Sequence, residues 1–264
     1  MSVTPSTSSA MSSEGPVWDF HARLIPGPGA VERQLAAMDA AGVTRSVVVA
    51  GGVISLDRMA EQIISGGHVD VDPDNEKVRQ LCEASGGRLR PCWFGNPHRG
   101  PKEYRAAAAG YAGLELAPAV HGVPLDDPRT TPWIEAAGEA GHSVYVVPIG
   151  RPGCGTADLA ALAERFPEVV FVLGHCGFIG IDAHAVNTVA PLKNVCAETS
   201  GAYTVIARIA AERLGADRLL FGSDYPAQAY EVELAKLRAL RLSPKERRQV
   251  MGGNAGRILG EETI

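Results

Sequence analysis

The chain has 264 residues, 45% of them hydrophobic and 21% charged, with 25 basic against 30 acidic side chains for a net charge of −5. That balance suits a globular protein of one large domain; no basic block marks a nucleic-acid partner, and no apolar run approaches the ~20 residues of a membrane span. The five cysteines, Cys82, Cys92, Cys154, Cys176 and Cys196, are odd in number and lack any C-x-x-C spacing, which argues for reduced thiols in a cytoplasmic protein and against a zinc knuckle.

Residues 1–15 are rich in Ser and Thr, with neither a cationic nor an apolar stretch, and read as a flexible tail before a domain at 16–264. The first strand is predicted at 17–23 (VWDFHAR) and the first helix at 29–41, where Val31, Leu35 and Met38 fall at helical spacing before Gly42. A second strand at 45–51 leads into the one long excursion, 52–72, expected to form a loop or short helix over the active face. Asp72-Pro73 opens a helix at 73–86, followed by strands at 90–96 and 112–117. Helices at 129–140, 156–166, 203–214 and 228–240 then alternate with strands at 143–149, 169–174, 194–199 and 218–223. Ser243-Pro244-Lys245-Glu246 has the spacing of a capping box and opens a last helix, broken or bent near Gly252-Gly253.

Eight strands alternating with helices predict an α/β fold, a single (β/α)8 TIM barrel. A doubly wound open sheet would place a Gly-rich turn after the first strand, where this chain reads His21-Ala22-Arg23-Leu24. In a barrel the chemistry collects at the C-terminal strand ends, which here offer His21, Arg23, Asn96, His98, Glu115, His175, Glu198, Ser200 and Asp224, with Arg151 just after strand five. Side chains alternate along a strand, so His21 and Arg23 point the same way. An inward arginine needs an acid partner, and Asp224, on the strand that closes against the first, is the expected one.

At these residues the chain resembles the amidohydrolase superfamily, in its branch of small barrel hydrolases and decarboxylases. The resemblance runs over roughly residues 17–260 and rests on Asp19-Phe20-His21, Gly113-Leu114-Glu115-Leu116, Val172-Leu173-Gly174-His175-Cys176-Gly177, Asn194 to Gly201, Phe221-Gly222-Ser223-Asp224-Tyr225-Pro226 and Gly253 to Leu259. It implies a divalent metal held by two histidines of the first strand, a histidine ending strand five and the aspartate ending strand eight, with the histidine of strand six working beside it. Carried over, His21, His175 and Asp224 are present, Arg23 stands at the second first-strand position, and the strand-five position falls near Val147. His21 and Asp224 are too few donors for a catalytic zinc, and a cationic Arg23 repels an ion. The residues therefore favour a site without a tightly bound metal; if zinc or manganese binds, His21 and Asp224 hold it.

The catalytic set read from the sequence is His21, Arg23, His175 and Asp224, with Glu115, His98, Arg151 and Glu198 as substrate-binding candidates. Arg23 would grip a carboxylate or carbonyl oxygen, and Asp224 or His175 would act as base. The leading expectation is a hydrolase of a small carboxylated lactone, ester or amide. The alternatives are a lyase, decarboxylating or cyclising, and a degenerate barrel that only binds a ligand or partner protein, in which Arg23 and Asp224 form a structural pair. Cys176, next to His175, should point away from the site; Trp93, Tyr145 and Phe178 read as core or pocket lining, and His68, His121 and His184 as surface. A small molecule is the expected partner. Association between copies is common among the proteins the chain resembles, but no apolar patch in the sequence supports it here.

Overall fold

The structure is a computed structural model that describes residues 15–261, so the tail expected at 1–15 lies, except for Gly15, outside the described residues. Eight strands form the barrel: β1 (Trp18–Leu24), β2 (Arg45–Ala50), β3 (Leu89–Gly95), β4 (Leu114–Leu116), β5 (Val144–Val146), β6 (Phe171–Leu173), β7 (Val195–Glu198) and β8 (Leu219–Leu220). Each pairs in parallel with the next in chain order. The seam between β8 and β1 is drawn together by Phe20 N–H to the Phe221 carbonyl at 2.8 Å and Arg23 N–H to the Tyr225 carbonyl at 2.7 Å. The result is the nearly closed (β/α)8 barrel that the strand count predicts.

Strand parity sorts the core into two layers. Phe20, Val47, Val49, Phe94, Val172 and Leu220 pack inside the barrel. Ala22, Leu24, Val48, Leu114, Val146 and Leu173 face outward beneath the helices. On β1 the parity breaks: Asp19 is opposite Ser46 but Ala22 is opposite Val48, so β1 carries one extra residue between them. This bulge turns His21 inward after an inward Phe20 and sets Arg23 on the same side.

Most helices form where the periodicity placed them. Ala30–Ala41 ends at Gly42, whose φ of 75° is a conformation that costs glycine little. The helix expected from 73 begins later, at Asn75–Glu83, because Asp74 rather than Asp72 accepts from the Lys77 N–H. The excursion after β2 holds a helix, Leu56–Ser65, whose buried Gln62 donates to the Ala119 carbonyl at 2.9 Å and so docks on the loop after β4. Lys102–Ala107, Pro118–His121 and Ala183–Val189 are short helices that the sequence reading passed over. The Ser243/Glu246 capping box forms, and the bend near Gly252-Gly253 is a π-helical turn over Gln249–Gly253. Among the described residues no helix is long and apolar enough to cross a membrane.

Candidate active site

The site lies at the C-terminal mouth of the barrel, where β1, β4, β6 and β8 converge. His21 is almost fully buried, its ring stacked on Tyr145 with centroids 4.3 Å apart. Its Nε2 lies 3.0 Å from Glu115 Oε2 and its Nδ1 3.5 Å from Asp224 Oδ1. Arg23 donates from Nη2 to Glu115 Oε1 at 2.5 Å and lies over the Phe94 ring. The acid partner of Arg23 is therefore Glu115, reaching across from β4, and not Asp224 as expected. Neighbouring strands made Asp224 the natural choice, but inward side chains of non-adjacent strands meet across the barrel.

Glu115 is fully buried. Burial pushes its carboxyl up, but the Arg23 charge and the hydrogen bonds from His21 and Arg23 hold it down at about 2. An ionised Glu115 only accepts, so His21 Nε2 must carry the proton that bridges them. Burial also opposes a charged His21 ring; the bond to Glu115 and that carboxylate's charge outweigh it and raise the histidine's affinity for a second proton. With a neutral ring, Nδ1 holds a lone pair that faces the carboxylate of Asp224. That Nδ1 is buried and has no hydrogen-bond partner.

His175 and Asp224 approach from the other side. Donor atoms of His21, His175 and Asp224 all lie within 4.8 Å of one another. The positive-φ non-glycine residues among those described are His175 (58°), Cys176 (52°) and Asp224 (55°), so two strained turns aim the two side chains. His175 Nδ1 is 2.8 Å from Ser200 Oγ. Cys176 packs outward, as its parity predicts. Two histidine nitrogens and one carboxylate, with His175 and Asp224 partly exposed, make a donor set that fits a single divalent cation in an open site, and the orphaned Nδ1 is the independent sign of fit. The repulsion expected from Arg23 is offset by its pairing with Glu115.

Glu198 lies behind His175 rather than in the mouth. It is fully buried and accepts from the Tyr145 hydroxyl at 2.6 Å, Ser200 Oγ at 2.8 Å, the His175 N–H at 3.3 Å and the Ser200 N–H. A side chain at position 222 would overlap it, which accounts for Gly222. Asp19, behind the β1 bulge, accepts from the His21 N–H at 3.2 Å and from Ser223 N–H, Ser223 Oγ and Ser46 Oγ, each at 2.8 Å; burial pushes its carboxyl up to about 7 against those bonds.

His98 and Arg151 are held away from this cluster. His98 bonds to the His121 carbonyl at 2.8 Å and stacks on His68, while Arg151 donates to the Gly67 carbonyl at 2.9 Å. His121, expected on the surface, is buried, with Nε2 3.3 Å from the Val71 carbonyl, because the loop after β4 folds under the excursion from β2. Tyr145, which reads in sequence as core or pocket lining, and Ser200, offered at the end of strand seven without a role, both touch the cluster. Tyr145 sits two residues before Val147 at inward parity, and Ser200 lies two residues past Glu198; those spacings were the available signals.

A family model described as Amidohydrolase matches residues 18–260. No curated protein sequence matches the chain. Among solved structures it is similar to 5-carboxyvanillate decarboxylase from Sphingomonas paucimobilis, at 17% identity over 94% of this chain and 99% of that one, TM-score 0.69. It is similar to the 5-carboxyvanillate decarboxylase of Novosphingobium aromaticivorans complexed with manganese and 4-hydroxy-3-methoxy-5-nitrobenzoic acid, at 15% identity over 98% and 100%, TM-score 0.71. It is also similar to a probable 2-pyrone-4,6-dicarboxylic acid hydrolase from Acinetobacter baumannii with citric acid bound, at 16% identity over 92% and 99%, TM-score 0.67.

Proposed function

We propose, because this chain belongs to the amidohydrolase family, that its barrel mouth hydrolyses a small carboxylated lactone or ester. The observation that carries the reading is the convergence of His21 Nδ1, His175 and Asp224 beside the Arg23–Glu115 pair. Arg23 is about a fifth exposed, and Glu115 engages one nitrogen of its guanidinium; the remaining N–H groups are the anchor for a substrate carboxylate. A divalent ion held by His21 Nδ1, Asp224 and His175 would supply Lewis-acid polarisation of the scissile carbonyl.

The proton belongs to Asp224. Its carboxylate accepts no hydrogen bond from a side chain among the described residues; one oxygen faces His21, leaving the other to take a proton from the attacking water. His21 is locked by Glu115 and the Tyr145 ring, which hold its Nδ1 lone pair toward the mouth. His175 presents Nε2 from the opposite wall, its Nδ1 being engaged by Ser200.

Decarboxylation is the second reading. The same anchor would serve decarboxylation, with Asp224 relaying a proton from solvent to an aromatic carbon in place of taking one from water, and the decarboxylases named above share the fold. The test is turnover of two panels, carboxylated lactones and esters against hydroxylated aromatic carboxylates, in water enriched in heavy oxygen. Hydrolysis puts the heavy isotope into the new carboxylate; release of carbon dioxide without isotope entry assigns the lyase instead. Turnover that survives both Asp224→Asn and His175→Gln would remove this site from the chemistry.

A further inference from the structure

Glu198 and Ser200, both fully buried, and the partly exposed His175 form a chain in which every hydrogen can be assigned. Of the partners of Glu198, two are N–H groups that can only donate. A third is the Tyr145 phenol, whose hydroxyl donates to Glu198 Oε2 at 2.6 Å. Ser200 completes the set, at 2.8 Å from Glu198 Oε2. A hydroxyl has one proton and two lone pairs. With that proton directed to Glu198, Ser200 Oγ meets His175 Nδ1, also 2.8 Å away, with a lone pair, so the ring must donate there.

We propose that Ser200 is a positioning residue that holds His175 in its Nδ1–H tautomer, so that the Nε2 lone pair faces the barrel mouth. The surroundings keep Ser200 in place. It is fully buried, and the loop that carries it is clamped from the helix Tyr230–Arg238: Lys236 Nζ donates to the Thr199 carbonyl at 2.5 Å and the Ala202 carbonyl at 2.9 Å, while Glu233 accepts from the Gly201 N–H at 3.2 Å. A lone pair at Nε2 is what His175 needs either to accept a proton or to bind a cation. The tautomer of a ligand or base is set by the partner of its other nitrogen, and here that partner is a serine with its own proton already committed. The inference rests on the reading of His175 as a working group of the site, but its test does not require a substrate.

The test is a two-bond proton–nitrogen correlation spectrum of the full-length protein with labelled histidines, recorded where His175 is neutral. The His175 signals are assigned as those lost in His175→Gln. The wild type is expected to show Nδ1 protonated and Nε2 bare. In Ser200→Ala the ratio of Nδ1–H to Nε2–H tautomer should fall by about tenfold, the scale a lost buried hydrogen bond sets, and Ser200→Thr, which keeps the hydroxyl, should restore it. A wild-type spectrum with Nε2 protonated overturns the proposal, as does an unchanged tautomer in Ser200→Ala. The wild-type measurement decides the matter even if either variant fails to fold. An inactive protein that still shows Nδ1–H would overturn the proposed function and leave this inference standing.

Discussion

Replacing Glu115 by Gln removes the charge between Arg23 and His21 while keeping the side chain's shape. Glu115 is shielded from water beside the Arg23 guanidinium and the His21 Nε2–H, and its carboxyl sits at about 2 against an ordinary 4.5. That gap corresponds to roughly 3 kcal/mol of folding stability at neutral pH, at about 1.4 kcal/mol per pH unit. Because the folded value is the lower one, this stability is present above pH 4.5 and is lost as the pH falls towards about 2. Urea unfolding of Glu115→Gln is expected to show a loss of roughly 3 kcal/mol near neutrality, or about 6–12 °C in Tm for a domain of this size. The difference from wild type should shrink steadily below about pH 4. In the double variant Arg23→Met/Glu115→Gln the two losses overlap, so their sum should exceed the measured value by at least ~1.5 kcal/mol. Losses that add within about 0.5 kcal/mol, or a difference that stays flat down to acid pH, would refute the buried pair as the anchor of the site.

Other outcomes follow from the same geometry. Asp224 and His175 are about a quarter exposed, so Asp224→Asn and His175→Gln should abolish turnover while moving Tm by no more than about 2–4 °C, the shift that 1 kcal/mol produces. Calorimetric titration with zinc or manganese should find one ion per chain, and saturation at a hundredfold excess over Kd should stabilise the fold by about 2.7 kcal/mol; binding that persists in Asp224→Asn would discard the three-donor set. Gly222→Ala places a methyl group on Glu198 and should cost about 3 kcal/mol or more, read by urea unfolding. All five cysteines are buried, and the thiols are pushed up by burial, so a thiol reagent should label the native protein far more slowly than the unfolded chain.

The strands and their order were legible because eight apolar runs repeat between helical patterns, and alternation put His21 and Arg23 on one side. What alternation cannot carry is a bulge: the extra residue between Asp19 and Ala22 leaves no compositional mark, yet it decides that Asp19 faces the helix layer while His21 faces the mouth. Partner choice was the other loss. Strand adjacency points Arg23 to Asp224, whereas the contact that forms spans β1 to β4. The same blindness hid Tyr145, which looks like a core aromatic in sequence and in space is the shelf under His21 and a donor to Glu198. His175 and Asp224 were readable from their places in family phrases; the positive φ angles that aim them were not. The short helices Lys102–Ala107, Pro118–His121 and Ala183–Val189 are too brief to show a period of their own.

The seam between β8 and β1 gives the site a temporal meaning. His21 comes from the first strand and Asp224 from the turn after the last, and the His21 carbonyl itself accepts from the Asp224 N–H at 2.8 Å. Closing contacts this far apart in the chain carries the loop entropy of everything between. A folding intermediate with its middle strands assembled would thus have Glu115, Tyr145 and His175 in register and still lack a working mouth. Occupancy of that mouth by an ion or inhibitor acts on the last stitch of the barrel, so ligand capture during refolding would serve as a clock for closure of the ring, separate from the earlier signals of strand and helix formation.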